Sequence, residues 1–402
     1  MPNLLNILIV SSDKYPDGGA SANRHLAYAK GLVEIGNTVT FILLAPQKNK
    51  QERFQTDGIT FINAYKSNLF SRIFKKHNSL VPLPSVPEGR RQIKQRIVEK
   101  KADIVVLLDT HLWLLKPMLD LCVKHKIKIL HERTEFPSVV LKRGLLGKFH
   151  LYLYGKYFLQ KLDAIFVITN ALKQYFTDLV NNRVRVEVIN MMVDPTRFQG
   201  ALSEPEFDSG YLAYCGGMEI EKDGINILIR AFGKACQILS DSNNLKLVLI
   251  GPISSSSLAD RLTQIIKESG CENRVILTGR VRRDAIPNLL SHAGALALAR
   301  PDSLQAEGGF PTKLGEYLAT KKPVIITNTG EIGLFLKDGE NAFIAEPGSV
   351  ESFASKIVCL FNDYPAALRI GMNGYGLTLH EFNYLQQSVN LNNIMHTVIK
   401  NT

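Results

Sequence analysis

The chain has 402 residues, of which 45% are hydrophobic and 21% are charged; this balance excludes a disordered chain, and the length predicts two globular domains. Its net charge of +11 is unevenly distributed: residues 1–200 hold 30 Lys and Arg against 16 Asp and Glu, or +14, and the remainder holds 18 against 21, or −3. Five cysteines without a C-x-x-C pair argue against a zinc ribbon or a redox dithiol. The sequence also shows no leader pattern and no run of about 18 apolar residues, so we expect a cytoplasmic protein.

Short apolar runs alternate with helical patterns along the chain. Strands are predicted in the first half at residues 7–10, 38–44, 104–108, 128–131 and 164–169. Strands are predicted in the second half at residues 211–215, 245–250, 275–278, 294–299, 323–327 and 342–345. Helices are predicted at residues 23–35, 90–100, 225–240, 258–269, 283–291 and 312–319. Because several strands are continuously apolar, they are expected to be buried on both faces, which predicts an α/β protein with two doubly wound parallel sheets.

A polar stretch at residues 199–209 interrupts this alternation and marks a domain boundary. We predict an N-terminal Rossmann-like domain at 1–200, a C-terminal Rossmann-like domain at 201–375, and a last helix at 376–402 that packs back towards the N-terminal domain. Parallel α/β sheets bind ligands outside the carboxyl ends of their strands, so the two domains are expected to face a ligand cleft.

The segment after the strand at 294–299 has the chemistry of an anion site. Gly308 and Gly309 permit close approach to a ligand, and Thr312 is expected to cap the next helix, whose free N–H groups favour an anion. Lys313 places a positive charge in the first turn, which a bound diphosphate would balance. Glu316 shares a helix face with Lys313 and could accept both hydroxyls of a ribose. A solvated Lys/Glu turn explains the same residues equally well.

This segment resembles the E-x7-E region of retaining nucleotide-sugar glycosyltransferases of family four, which have the GT-B fold. The match runs through P-T-K-L-G-E-Y-L-A and then K-P-V-I-I. The resemblance implies that Glu307 contacts the donor sugar and that Glu316 holds the ribose, although the two lie nine residues apart instead of eight. Further matches of strand and loop segments extend the resemblance over nearly the whole chain.

The start of the C-terminal domain, C-G-G-M-E-I-E-K-D-G, resembles the G-R-x4-K-G diphosphate motif of the same family. Met218 stands where the family has Arg, and Lys222 lies one place before the usual Lys, so Arg280 or Arg300 would have to compensate. The resemblance thus implies a donor site formed by Gly217, Lys222, Arg280, Gly309, Phe310, Thr312, Lys313 and Glu316. Catalytic roles follow for Glu307, Lys313 and Lys222.

In the N-terminal half, two segments follow predicted strands. Gly18 and Gly19 open a helix and could approach a phosphate or a sugar, and Arg24 is a candidate contact for an acceptor phosphate. His131 and Glu132 end a later strand, and the resemblance implies that one of them faces the sugar. A structural ion cluster accounts for the same residues.

Residues 67–80 and 141–162 mix Lys and Arg with Phe, Leu and Tyr. Such a composition is typical of a helix on a membrane surface, although the second stretch also suits a helix that covers a sheet. With the basic first half, this predicts peripheral contact with the inner face of a membrane and a glycan or lipid-linked acceptor. No nucleic-acid-binding motif is present, so we expect no nucleic-acid partner.

The predicted activity is sugar transfer with retention at the anomeric carbon, from a UDP-sugar by preference, in cell-surface polysaccharide synthesis. No D-x-D pair ends a strand, so no metal or cofactor is expected. Two alternatives remain at this point. One is a GT-B nucleotide-sugar epimerase, and the other is a non-catalytic, donor-binding partner of another transferase.

Overall fold

The computed structural model describes residues 4–16, 18–65, 86–99, 101–137, 144–200, 203–204, 206–207, 210–239 and 244–400. The chain forms two compact units, Met1–Asn190 with Tyr384–Thr402 and Met191–Asn383. The basic stretch at 67–80 and the start of the stretch at 141–162 lie outside the described residues. Among the described helices, none has the length and apolar character needed to cross a bilayer.

The first unit is an eight-stranded sheet in the order β3-β4-β2-β1-β5-β6-β7-β8 over the described residues. Its strands β1 to β8 are Asn6–Ser11, Thr38–Leu43, Arg53–Thr56, Ile59–Asn63, Ile104–Leu107, Lys128–Arg133, Ala164–Val167 and Arg185–Val188. Its helices are Ala20–Glu34 (α1), Val86–Val98 (α2), Leu112–Lys124 (α3), Gly144–Leu153 (α4), Asn170–Leu179 (α5) and, from the end of the chain, Tyr384–Lys400 (α15). All neighbouring strands are parallel except the edge pair β3 and β4.

The second unit is a six-stranded parallel sheet in the order β11-β10-β9-β12-β13-β14 over the described residues. Its strands β9 to β14 are Leu212–Cys215, Leu247–Ile250, Val275–Gly279, Ala295–Leu298, Val324–Thr327 and Phe343–Ala345. Its helices α6 to α14 are Ile220–Asp223, Ile225–Ile238, Ser256–Glu268, Ile286–His292, Leu304–Gly308, Thr312–Ala319, Ile332–Phe335, Val350–Asn362 and Tyr364–Leu379.

Continuous apolar strands form the centre of both sheets. Every residue of β5, I-V-V-L, is buried, as is every residue of β10, L-V-L-I, because helices cover both faces of a doubly wound sheet. The prediction of two parallel α/β sheets is thereby confirmed. The strand order reverses between β1 and β5 in the first unit and between β9 and β12 in the second. Ligands of such sheets bind at these reversal points, outside the carboxyl ends of the strands.

Several elements were absent from the sequence-based prediction. The hairpin of β3 and β4 turns at Asp57 and Gly58, which both have positive φ, and such a D-G pair is a hairpin signal that the sequence displays. Strand β8 and helices α3 and α5 were also missed. Helix α1 begins at Ala20, three residues before its predicted start at Asn23, with Gly19 as the N-cap.

Candidate functional site

The carboxyl ends of β9 and β12 meet at the reversal point of the second unit. Strand β9 leads into Gly216 and Gly217, and β12 leads into the segment at 299–311 that precedes α11. Gly224 permits this junction, because a Cβ at this position would lie 1.8 Å from the Ala299 carbonyl oxygen. The hydroxyl of Tyr317 on α11 accepts a hydrogen bond of 2.7 Å from the Cys215 N–H and so ties α11 to the end of β9.

Lys313, in the first turn of α11, lies against the end of β9. Its Nζ forms an ion pair with the Asp223 carboxylate and donates to the Tyr214 hydroxyl at 2.6 Å. The ammonium also sits 4.6 Å from the centre of the Tyr214 ring. Burial lowers the pKa of Lys313, and the charge of Asp223 opposes that shift. A Cβ at Gly216 would lie 2.6 Å from Lys313 Nζ, so the lysine occupies the space beside this glycine. The charge that the sequence predicts to be balanced by a diphosphate is already paired with a carboxylate.

Glu316 lies one turn further along α11 and is held by a second ion pair. Arg197 Nη1 donates to Glu316 Oε1 at 2.7 Å, and both side chains are mostly buried. Arg197 belongs to the 3-10 turn Pro195–Phe198, which starts at the Asp194 cap and presents the guanidinium to α11. Arg197 thereby fixes the Glu316 carboxylate. Lys313 and Glu316, which the sequence predicts as ligand-binding residues, lie within one turn of α11.

The other donor-site candidates are placed less uniformly. Glu307 is exposed on the short helix α10, which Ser303 caps by accepting from the Ala306 N–H at 3.1 Å. The Phe310 side chain is buried against Phe335 and Phe382, with ring centres 5.6 Å from each, so only its backbone remains for a ligand.

The expectation that Thr312 caps α11 is wrong. The helix begins at Thr312 with Pro311 as the N-cap, and the cap makes no side-chain hydrogen bond. Gly309 is the C-cap of α10 and has an extended backbone conformation.

The side chains of the segment that is predicted to bind the diphosphate differ in exposure. Met218, at the usual Arg position, is buried as a core residue. Lys222 is half-buried on α6, and Gly217 accepts from the Tyr214 hydroxyl at 2.6 Å through its carbonyl oxygen. Arg280 is exposed after β11. Arg300 is buried, and its guanidinium donates hydrogen bonds of 3.5 Å to the carbonyl oxygens of Gln305 and Gly309.

In the first unit, the structure assigns Arg24 and Glu132 to an internal cluster. Arg24 is 2% exposed, and its Nε donates to Glu132 Oε1 at 2.7 Å. Its two terminal nitrogens donate to the Ile189 and Asn190 carbonyl oxygens at 2.7 and 2.6 Å. His25 Nε2 lies 3.0 Å from Glu132 Oε2. Burial raises the pKa of Glu132, but the charge of Arg24 and, after it, that of His25 lower the pKa to about 2. The predicted phosphate contact of Arg24 is therefore corrected to a structural ion pair.

His131 is corrected in the same way, because it is fully buried and both ring nitrogens are used. Nδ1 lies 2.6 Å from the Leu107 carbonyl oxygen, which can only accept, so Nδ1 carries the proton. Nε2 then accepts from the Tyr154 hydroxyl at 2.6 Å. Burial lowers the pKa of His131 to about 3. The side chain links β5, β6 and the turn after α4 and offers no atom to a sugar.

Polar groups that the sequence did not predict as site residues lie at the reversal point of the first unit. Asp109 follows β5 and accepts from the Ser12 N–H at 3.1 Å and from the Ser12 hydroxyl, and burial raises its pKa to about 6. His111 lies two residues on, with its ring 5.8 Å from that of Trp113. Gly18 packs tightly, since a Cβ there would lie 2.3 Å from Ala22 Cβ, whereas Gly19 has open space around it. The sequence signal for Asp109 and His111 is the triplet D-T-H, which directly follows an apolar strand.

Comparison with known proteins relates the second unit to a family of transferases. Residues 209–363 match the family model described as Glycosyl transferases group 1. An uncharacterized glycosyltransferase of Methanocaldococcus jannaschii is 22% identical over 285 residues, which are 70% of this chain and 72% of that protein.

Two solved structures share the fold, and their sequence identities of 20% and 16% are too low to indicate a common substrate. A glycosyltransferase from Rickettsia africae superposes with a TM-score of 0.73 at 20% identity and covers 100% of both chains. Anabaena HepE in complex with UDP and glucose superposes with a TM-score of 0.70 at 16% identity and covers 98% of this chain and 100% of HepE. The family match within the second unit and the pair of parallel α/β units indicate a glycosyltransferase with the GT-B fold.

Proposed function

We propose that this glycosyltransferase takes its sugar from a nucleoside diphosphate donor, with UDP favoured, and transfers it with retention of configuration. One observation carries the proposal: Lys313 and Glu316 share the first turns of α11, at the carboxyl ends of β9 and β12. A cation and a carboxylate at that spacing suit the diphosphate and the ribose hydroxyls of one nucleotide. HepE, which has the same fold, was solved with UDP and glucose, and this supports UDP as the nucleotide.

In this proposal, the protein supplies charge where the leaving diphosphate develops it. Lys313, Lys222 and the N–H groups at the start of α11 stabilise the diphosphate, without a metal ion. Glu307 contacts the donor sugar, and Arg197 orients Glu316. Gly18 and Gly19, which follow strand β1 of the first unit, lie on the side that binds the acceptor. The acceptor is a glycan or a lipid-linked glycan of cell-surface polysaccharide synthesis, and the basic first half of the chain supports peripheral contact with a membrane.

The donor part of the proposal is tested by thermal unfolding with a panel of UDP-, GDP- and ADP-sugars. A ligand that binds only the folded state raises the melting temperature, by an amount equivalent to about 2.7 kcal/mol at one hundred times its Kd. We expect one nucleotide family to do so, and Glu316→Ala to abolish the shift. Glu340→Ala, which removes an exposed carboxylate of the same unit, is the matched control. Absence of a shift with every nucleotide, or equal shifts for both variants, contradicts the proposed donor site.

A further inference from the structure

Helix α4 and the turn after it present apolar and basic side chains to solvent on one face. Four large apolar or aromatic residues are exposed there: Leu145 at 85%, Phe149 at 59%, Tyr152 at 51% and Tyr157 at 53%. Lys148 and Lys156 are exposed among them. The spacing follows the helix, so the six side chains form one stripe. We call the stripe formed by Leu145, Lys148, Phe149, Tyr152, Lys156 and Tyr157 the α4 face.

The α4 face belongs to a helix that is firmly attached to the first unit. On the opposite side, Tyr154 and Phe158 are buried, and their rings lie 5.8 and 5.3 Å from the ring of His131. The hydrogen bond of Tyr154 to His131 anchors the π-helical turn Tyr154–Phe158. The helix is therefore apolar on both sides, and among the described residues of the first unit only one side is packed against a partner.

The positive charges around this face favour an anionic partner. Between residues 144 and 162 the sequence has three lysines and no Asp or Glu. Lys156 Nζ lies 2.8 Å from the Tyr152 hydroxyl and 5.2 Å from the centre of its ring, so the ammonium is held at the edge of the aromatic surface. Aromatic rings with polar tips beside lysines are the composition of a helix at the headgroup level of a bilayer.

A second copy of the chain suits this face less well. In a two-fold symmetric contact the same patch meets itself, so the lysines of both copies would lie in one contact, to which residues 144–162 contribute no Asp or Glu. We infer that the α4 face is the surface through which the chain docks on a bilayer that contains anionic lipids. The inference deepens the proposed membrane contact by assigning it to six side chains, and it rests on that part of the proposed function.

The test is cosedimentation of the full chain with vesicles of phosphatidylcholine, alone or mixed with phosphatidylglycerol. We expect binding to the mixed vesicles that is at least about tenfold stronger than to phosphatidylcholine and that weakens with salt. The double variant Leu145→Glu/Phe149→Glu should lose binding by about tenfold or more, because charged side chains replace the inserted apolar ones. Val98→Glu, at an apolar residue of α2 that is 65% exposed, should bind as the wild type does.

Equal binding by the double variant and by Val98→Glu would overturn the inference, and so would failure of the wild-type chain to bind the mixed vesicles. Sedimentation without vesicles tests whether a second copy of the chain occupies the face instead. If the wild-type chain is a dimer and the double variant is a monomer, the α4 face is a dimer contact and the inference is overturned. Circular dichroism and the nucleotide-induced thermal shift show that the variant remains folded. Vesicle binding requires neither donor nor acceptor, so its failure is distinguishable from failure of the proposed glycosyl transfer.

Discussion

At the residue scale, Asp223 decides how available Lys313 is to a ligand. In the family motif the residue before Gly224 is a lysine, and here it is an aspartate that is buried and paired with Lys313. A phosphate that approaches Lys313 would meet this negative charge, whose repulsion at close range in a partly buried site is worth on the order of 1 kcal/mol or more.

We predict that Asp223→Asn, which removes the charge and keeps a hydrogen-bonding oxygen, tightens binding of a nucleoside diphosphate about threefold to tenfold. The nucleoside monophosphate should change less, because it has one phosphate fewer to place near the lysine. Isothermal titration calorimetry with UDP and UMP measures both. If Asp223→Asn weakens both nucleotides alike, the aspartate serves to hold Lys313 in position and the expected repulsion is refuted.

His131 gives the stability of the first unit a defined dependence on pH. Its pKa falls from the usual 6.5 to about 3 in the folded protein, so between these values the unfolded chain binds a proton that the folded chain does not. Stability from this group is therefore complete above pH 6.5 and decreases as the pH falls, by up to about 1.4 kcal/mol per pH unit.

We predict that His131→Phe has a flatter pH dependence of unfolding free energy between pH 6 and 4 than the wild type. At pH 7 the variant should be less stable by about 1–3 kcal/mol, because the Tyr154 hydroxyl and the Leu107 carbonyl lose their partner. Urea unfolding at several pH values measures both effects. Parallel pH profiles for the two proteins would show that His131 does not titrate with unfolding.

At the element scale, the packing of α1 on α15 depends on one glycine. A Cβ at Gly31 would lie 2.3 Å from Ser388 Oγ and 2.7 Å from Ser388 Cβ, so the two helices approach closely at this point. The Ser388 hydroxyl donates to the Tyr384 carbonyl at 2.7 Å within its own helix and cannot move aside without losing that bond.

Gly31→Ala is therefore expected to lower the unfolding free energy by about 1–3 kcal/mol through overpacking. Gly376→Ala is the matched control, since Gly376 lies within α14 and a Cβ there meets nothing within 4 Å. That change should be neutral or stabilising by up to about 1 kcal/mol, because alanine favours the helix. Thermal unfolding of the two variants compares them, and equal stabilities would contradict the close approach.

Strand β5 and helix α11 were predictable from their local patterns, whereas strand β8 was not. Strand β5 is four buried apolar residues in a row, and helix α11 was placed at Thr312–Ala319 as observed. Strand β8, R-V-E-V, alternates polar and apolar residues at the edge of the sheet and resembles a loop in a single sequence. Its strand character comes from pairing with β7.

At the scale of the whole molecule, sequence pattern determined the class of fold and the segment in which to look for chemistry. Apolar periodicity is a local property, so it predicts two parallel α/β sheets without knowledge of how strands pair. The resemblance of the α11 segment likewise rests on consecutive residues, and Lys313 and Glu316 do lie together at a strand reversal.

Partners distant in the chain were decided only by the tertiary structure. Arg197 reaches Glu316 across 119 positions, and Arg24 reaches Glu132 across 108. No local pattern distinguishes an arginine that will bind a phosphate from one that will be enclosed by a carboxylate and two carbonyl oxygens. Burial and pairing depend on which strands become neighbours, and for this reason the sequence could name Arg24, His131 and Lys313 as chemical groups but could not tell which of them a ligand can reach.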